Sequence, residues 1–259
     1  MNMKDKVVLI TGGGYGIGRQ IARAFGEAGA FVIVAARSLE KLESVAAEVK
    51  AQGGRARAVA LDVTRAEEVE QLIADVSKTQ GQLDVLVNNS GIGGPTALAR
   101  DVSLEEWTQT LEVNLSGAFY CAKYASKVMI DRGQGCIVNI GSVASRIGFA
   151  HRTAYAASKW GLLGLSHSLA AELGPYGIRV NAVLPGLVDG ERFGGVMANR
   201  AKLEQRSKDD VLAGMVAQTP LKRLVSEKEV ADAVLYLASD AASGITGQAL
   251  NVCGGFRMQ

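Results

Sequence analysis

The 259-residue chain reads as an α/β protein built on a doubly wound parallel sheet. Three observations predict this. Short β-branched runs alternate with longer amphipathic stretches. The runs lack a polar alternation, so they look buried on both faces. A glycine-rich turn joins the first run to the first helical stretch. Strands buried on both sides and each followed by a helix need cover above and below. Right-handed crossovers then wind the helices onto both faces.

The elements follow in order. Val7–Thr11 is the first strand, and Gly16–Ala28 a helix stopped by Gly29. Phe31–Ala35 is the second strand. Leu39–Ala51 follows as a helix, with Ser38 as its N-cap and Gly53-Gly54 as its stop. Ala56–Leu61, Val85–Asn88, Cys136–Ile140, Arg179–Val183 and Ala249–Val252 supply the further strands. Helical periodicity fills Ala66–Lys78, Leu104–Arg132, Ala154–Leu173 and Glu227–Ser239. No second domain, repeat or low-complexity segment is visible, so residues 1–259 read as one domain. The stretch 186–220 breaks the rhythm with scattered glycines and charges. Long excursions at carboxyl ends of strands are commonly lids or binding loops, so it reads as a substrate-binding insertion.

Composition excludes several functions. The net charge is +2, and no basic stripe interleaved with aromatics suggests nucleic acid. The three cysteines, Cys121, Cys136 and Cys253, are far apart, and only His151 and His167 join them. No metal site is expected from that set. Reduced thiols and the lack of a long apolar run point to a cytoplasmic protein with no membrane partner.

The turn Thr11-Gly12-Gly13-Gly14-Tyr15-Gly16-Ile17-Gly18 suits a pyrophosphate. Glycines let the backbone approach, and the helix N-terminus receives the charge. Its spacing departs from the common dinucleotide fingerprint, and a plain tight turn is the competing reading. After the second strand the chain reads Ala35-Ala36-Arg37-Ser38. An acid there would hold a ribose 2′-hydroxyl, whereas an arginine suits a 2′-phosphate. Arg37 and Ser38 therefore favour NADP(H), with NAD(H) left open. Asp62 and Val63, after the third strand, could meet the adenine, or Asp62 could be a loop acid. Asn88-Asn89-Ser90-Gly91 could line the cofactor ribose.

Tyr155 and Lys159 lie four apart on one helix, so they share a face. A free phenol titrates near 10, too high for efficient proton exchange at neutrality. A neighbouring ammonium favours the phenolate. Bringing a phenol down to neutrality takes about 4 kcal/mol of differential stabilisation, which needs a partly desolvated site. Ser142 falls just past the strand Cys136–Ile140, at the edge where such sheets bind ligands. Asn114 is a poor helix former inside Leu104–Arg132, suited to open a backbone irregularity for a bound water or to act as a core amide.

Thr11–Gly18, Asn88–Gly91, Asn114, Ser142, Tyr155–Lys159 and Pro185-Gly186 together resemble the short-chain dehydrogenase/reductase superfamily, in its compact single-domain branch, over essentially the whole chain. The resemblance implies a Rossmann-like, doubly wound, seven-stranded parallel sheet of order 3-2-1-4-5-6-7 flanked by helices. It implies an NAD(P)-dependent oxidoreductase that interconverts a carbonyl and a secondary alcohol. Tyr155 would be the general acid or base, Ser142 would bind the substrate oxygen, and Lys159 would hold the nicotinamide ribose and assist Tyr155. Asn114 would position a relay water. The cofactor set would be Gly12, Gly14, Tyr15, Gly16, Ile17, Gly18, Arg37, Ser38, Asp62, Val63, Asn89, Tyr155, Lys159, Pro185, Gly186 and Val188. Three departures stand out. Gly190 replaces a threonine frequent four residues after the Pro-Gly pair, Tyr15 replaces a basic residue in the glycine turn, and Cys253 replaces a frequent acid.

The substrate is less legible. Segments facing it would be Gly93–Thr96, Val143–Arg152 and the insertion. They carry Arg146, His151, Arg152, Glu191, Arg192, Arg200, Lys202 and Arg206. Such cations could bind a carboxylate, a phosphate or a carrier-linked phosphopantetheine, or form an ordinary solvated surface. His151 could touch substrate or cap the following helix. A small carbonyl or alcohol, anionic or not, is the expected partner. A 3-oxoacyl-thioester reductase and a polyol or sugar dehydrogenase are alternatives within the class. A dinucleotide-sensing regulatory protein is the alternative outside it. Family members pair their long helices, so a homotetramer is expected.

Overall fold

The computed structural model describes residues 1–256, without the side chains of Glu191 and Arg192. Its strands are β1 (Val7–Thr11), β2 (Phe31–Ala36), β3 (Arg55–Ala60), β4 (Val85–Asn88), β5 (Gly135–Ile140), β6 (Ile178–Pro185), β7 (Val188–Asp189), β8 (Val225–Ser226) and β9 (Ala249–Val252). Its α-helices are α1 (Gly16–Glu27), α2 (Leu39–Ala51), α3 (Ala66–Gln80), α4 (Leu104–Leu111), α5 (Gly117–Arg132), α6 (Thr153–Leu173), α7 (Glu191–Glu204), α8 (Lys208–Ala217) and α9 (Glu227–Ala238). Seven strands form one parallel sheet in the order β3-β2-β1-β4-β5-β6-β9. This is the order the resemblance implied.

The strand sequences explain the layering. All five residues of β1 are buried, and alternate side chains leave a strand on opposite faces. Val8 and Ile10 enter one core with Ile21 and Phe25 of α1, Leu42 and Val45 of α2, and Val230 and Val234 of α9. Val7 and Leu9 enter the other, with Leu72 and Ile73 of α3, Cys121 and Ala125 of α5, and Leu169 and Leu173 of α6. The order of winding across the sheet reverses between β1 and the central strand β4. A crevice opens at the carboxyl ends there.

Three features differ from the sequence reading. The stretch predicted as one helix over 104–132 is interrupted by a π-helical turn, Glu112–Ser116, centred on Asn114. Ser38 stands at the N-cap position of α2, but its side chain makes no capping bond. The 186–220 segment is ordered as β7, which pairs with β8 just beyond it, and the helices α7 and α8. Helices α7 and α8 close over a third apolar cluster of Leu187, Met197, Val211, Met215 and Phe256. No described helix is long and apolar enough to cross a membrane.

Candidate active site

At the β1–α1 turn, positive φ at Gly12 (66°) and Gly16 (58°) turns the chain sharply. A side chain at Gly18 would run into the Gly12 carbonyl and the Asn89 amide. The Asn89 amide fixes this turn from β4: its Nδ2 donates to Thr11 O at 3.0 Å and Gly12 O at 2.9 Å. Thr11 Oγ1 accepts from the backbone N–H of Asn89 and Ser90, both at 3.1 Å. Tyr15 precedes α1 without a side-chain cap bond. The helix N-terminus therefore presents N–H groups and positive potential to an anion. A cavity of about 790 Å³ starts here and runs past the ends of β5 and β6 to the α7–α8 cover. That is in the range of cavities that bury small organic ligands.

The chemistry-bearing residues lie at the other end. Gly141 follows β5 because a side chain there would meet Leu184 Cδ2 at 2.5 Å. Ser142 comes next, buried, its Oγ accepting from Ala144 N at 3.1 Å. That bond occupies an oxygen lone pair and leaves the hydroxyl proton for another acceptor. Tyr155 and Lys159 project from α6, and both line the cavity with Ser142. Lys159 is 5% exposed, and its Nζ donates to Ile140 O at 2.7 Å. The ammonium lies 5.9 Å from the Tyr155 ring centroid. A second cation flanks the same ring: Arg152 Cζ lies 5.0 Å from the centroid. Burial pushes the Arg152 pKa down, and the adjacent Tyr155 draws it partly back.

Asn114 sits behind this wall. Its Oδ1 accepts from Ile92 N at 2.7 Å, and its Nδ2 donates to Ile92 O and Ser158 Oγ, each at 3.0 Å. Ser158 Oγ in turn donates to Tyr155 O at 2.8 Å. The π-turn thus ties the loop after β4 to the first turn of α6. Inserted turns of this kind recur at functional sites.

The cavity gathers Gly12, Gly14, Tyr15, Gly16, Ile17, Gly18, Asn89, Ser142, Tyr155, Lys159, Pro185, Gly186 and Val188. It does not gather Asn114, Arg37, Ser38, Asp62 or Val63. Arg37 and Ser38 are exposed at the end of β2. Asp62 turns inward on its own loop, where its Oδ1 accepts from Thr64 N at 3.0 Å and Thr64 Oγ1 at 2.8 Å. Partial burial raises its pKa, but the Thr64 hydrogen bonds and the charges of Arg37 and Arg65 outweigh it, leaving the carboxyl below its ordinary value. Val63 is buried against Gly117. Asn88, expected near a ribose, is instead buried, donating to Asn139 Oδ1 at 2.9 Å.

The cation cluster also resolves differently. Arg146 donates to Ala249 O at 3.2 Å. Arg200 and Arg206 both engage Glu204, at 2.6 and 3.4 Å. The Arg200 hydrogen bond and the two charges outweigh desolvation and hold the Glu204 carboxyl below its ordinary range. Lys202 and His151 do not line the cavity, and His151 does not cap α6. Glu191 and Arg192 have side chains outside the described residues. Of these groups, Arg152 reaches the cavity among the described side chains.

The sequence reading missed Arg19, Lys41 and Glu48, which line the α1–α2 end, and Glu227, whose carboxylate faces Gly16 and Gly190. Arg19 pairs with Glu48 at 2.8 Å. All three cysteines are buried, and burial pushes Cys121 up to about 12 and Cys136 to about 11.

A family model described as enoyl-(acyl carrier protein) reductase matches residues 12–257. An uncharacterised oxidoreductase of Thermotoga maritima is 42% identical over 255 residues, covering 98% of each chain. The 3-oxoacyl-(acyl-carrier-protein) reductase of Escherichia coli is 37% identical over 258 residues, covering 100% of each. Among solved structures, NAD+-bound xylitol dehydrogenase superposes with a TM-score of 0.96 at 32% identity, covering 98% of this chain and 100% of that one. An actinorhodin polyketide ketoreductase variant with NADPH superposes at 0.93 with 38% identity, covering 99% of each.

Proposed function

Given that the chain belongs to the short-chain dehydrogenase/reductase superfamily and is an oxidoreductase of carbonyl and alcohol groups, we propose that Tyr155, Lys159, Ser142 and Asn114 carry its reaction, with NADP(H) as the preferred cofactor. The observation that carries this reading is the shared cavity. One continuous space joins a glycine turn that excludes side chains to a buried serine, a phenol and an ammonium.

The glycine turn fits a dinucleotide because Gly12 and Gly16 take positive φ and a Cβ at Gly12 or Gly18 would clash with the Gly12 carbonyl or the Asn89-Ser90 loop, so glycine alone lets this backbone pack closely and present N–H groups to a pyrophosphate. Gly14, Tyr15, Gly16 and Ile17 would hold the phosphates, and Asn89, Pro185, Gly186 and Val188 would border the rest. The bound nicotinamide supplies or accepts the hydride. The chain's own residues handle position and protons. Ser142 donates its free hydroxyl proton to the substrate oxygen. Tyr155 Oη delivers a proton to that oxygen during reduction and removes it during oxidation. Lys159, pinned to Ile140 O, keeps positive charge beside the phenol and favours the phenolate when the proton leaves. The Asn114 π-turn holds Tyr155 through Ser158 and would seat the water that returns the proton. Positioning and oriented charge are the protein's part of the rate enhancement.

For the 2′-phosphate, the reading rests on what β2 lacks. No acid follows it, and Arg37 is exposed with Lys41 one turn further on. Arg37 would close onto the phosphate with Ser38, while Asp62 and Val63 shape the adenine side indirectly. The chain would work as one domain, residues 1–259, with 186–220 as its substrate cover. A homotetramer is supported by exposed Phe119 and Trp160 on α5 and α6, and light scattering tests it. The buried thiols of Cys121 and Cys136 favour a reducing, cytoplasmic setting.

The relatives' names favour two substrate classes, 3-oxoacyl thioesters and polyols. The test is NADPH oxidation against ketones and 3-oxoacyl thioesters, and NADP+ reduction against polyols. Turnover with any of them supports the enzyme. Tight cofactor binding without turnover on all would favour a dinucleotide sensor.

A further inference from the structure

Arg152 is 5% exposed, yet it stands on the wall of the cavity beside Tyr155. Its NH2 donates to Gly93 O at 2.7 Å and its NH1 to Thr96 Oγ1 at 3.3 Å. A guanidinium has five N–H donors, so three have no acceptor here, and Nε is buried without one. No carboxylate pairs with it among the described residues. Glu48, an acid on the same cavity wall, is instead engaged by Arg19. Buried charges in proteins are ordinarily paired. Holding the Gly93 loop needs two donors and no charge, so the staple alone leaves the cation unexplained.

Resting on the oxidoreductase reading above, we infer that Arg152 is the specificity-determining residue for a substrate carboxylate lying one or two carbons from the reacting carbonyl. The spacing follows from geometry. A guanidinium 5.0 Å over the ring centre lies roughly 6 Å from the phenolic oxygen by standard bond lengths. A carboxylate accepts from a guanidinium at about 2.8 Å, and a carbonyl oxygen from a phenol at about 2.7 Å. Those two reaches place the carboxyl carbon one or two carbons along the chain from the carbonyl carbon, as in a 2-oxo or 3-oxo acid. The same cavity wall carries the apolar side chains of Val143, Ile147, Phe149 and Met197. The substrate class is therefore an oxo or hydroxy acid with an apolar tail.

The test compares freshly prepared 3-oxohexanoate with its neutral methyl ester, using NADPH and the full-length protein. Wild type should prefer the acid. Arg152→Gln should lower kcat/KM for the acid about 10- to 100-fold relative to that for the ester, the range for a hydrogen bond to a charged group. Arg152→Lys should fall between, since it keeps charge and loses the fork. Equal losses on acid and ester, or no loss on the acid, would overturn the inference and leave Arg152 as a loop staple. Calorimetry of hexanoate against hexanamide gives a readout free of turnover. Arg152-dependent binding of hexanoate alone supports the inference even where no ketone is reduced, an outcome that would sink the reductase reading instead. Ketone reduction with hexanoate and hexanamide bound alike would sink the inference and keep that reading.

Discussion

Replacing Asn114 with alanine should destabilise the fold by an amount the structure allows to be worked out. Asn114 is 1% exposed and makes three hydrogen bonds, to Ile92 N, Ile92 O and Ser158 Oγ. Alanine removes all three. Ser158 keeps its bond to Tyr155 O, and Ile92 is only half-buried, so water reaches part of what is exposed. Each lost bond then costs near the net value of about 1 kcal/mol rather than the larger penalty of a sealed group. The sum is about 3 kcal/mol. Urea unfolding with linear extrapolation measures it, and the slope should stay unchanged because the surface exposed on unfolding hardly differs. A loss well below 1 kcal/mol would refute the reasoning, since the amide would then not be the tie between the β4 loop and α6.

Three further outcomes follow. Gly18→Ala should weaken NADPH binding at least tenfold while the chain stays folded, because the new methyl displaces the Gly12 carbonyl and Asn89; equilibrium fluorescence titration of NADPH reads this, and an unchanged Kd would contradict it. Arg37→Asp should lower the NADPH-to-NADH ratio of kcat/KM roughly tenfold or more, and an unmoved ratio would remove Arg37 from cofactor choice. Glu229, hydrogen-bonded by Arg223 at 2.7 and 2.9 Å and capping α9 through Ser226, is held down from 4.5 to about 2. A depressed carboxyl contributes stability that is full above its unfolded value and disappears as pH falls through its folded value. Thermal melts should show wild type above Glu229→Gln at neutral pH, the gap closing between about 4.5 and 2. The gap should be small because the pair is exposed, and a gap constant with pH would contradict the linkage.

The strands and the glycine turn were legible because their signals are local. Val7–Thr11 is uninterrupted β-branched and apolar sequence, and the glycines sit directly after it. The sheet order came from the resemblance, since periodicity alone orders no strands. What stayed hidden depends on pairs distant in sequence. Asn89 was read as a cofactor contact and lines the cavity, but that its amide also closes a turn 77 residues away has no local signature. Asn114 was singled out as a misfit in a helix, which it is; that its amide spans 22 residues to Ile92 and 44 to Ser158 has no local signature. The cations of the insertion looked like a cluster until Glu204, an acid between them in sequence, proved to hold two. Arg152 was one of eight candidate groups, and only burial against Tyr155 separates it from the rest.

The measurement that bears most directly on the whole account is the kinetics of Tyr155→Phe beside its NADPH affinity. The variant keeps the ring between Lys159 and Arg152 and removes one hydroxyl. The account predicts a fall in kcat of roughly a thousandfold, within the range for a lost general acid, with NADPH still bound at wild-type strength. Turnover near the wild-type rate would show that some other group moves the proton, and the roles assigned to Lys159, Ser142 and Asn114 around that phenol would fall with it.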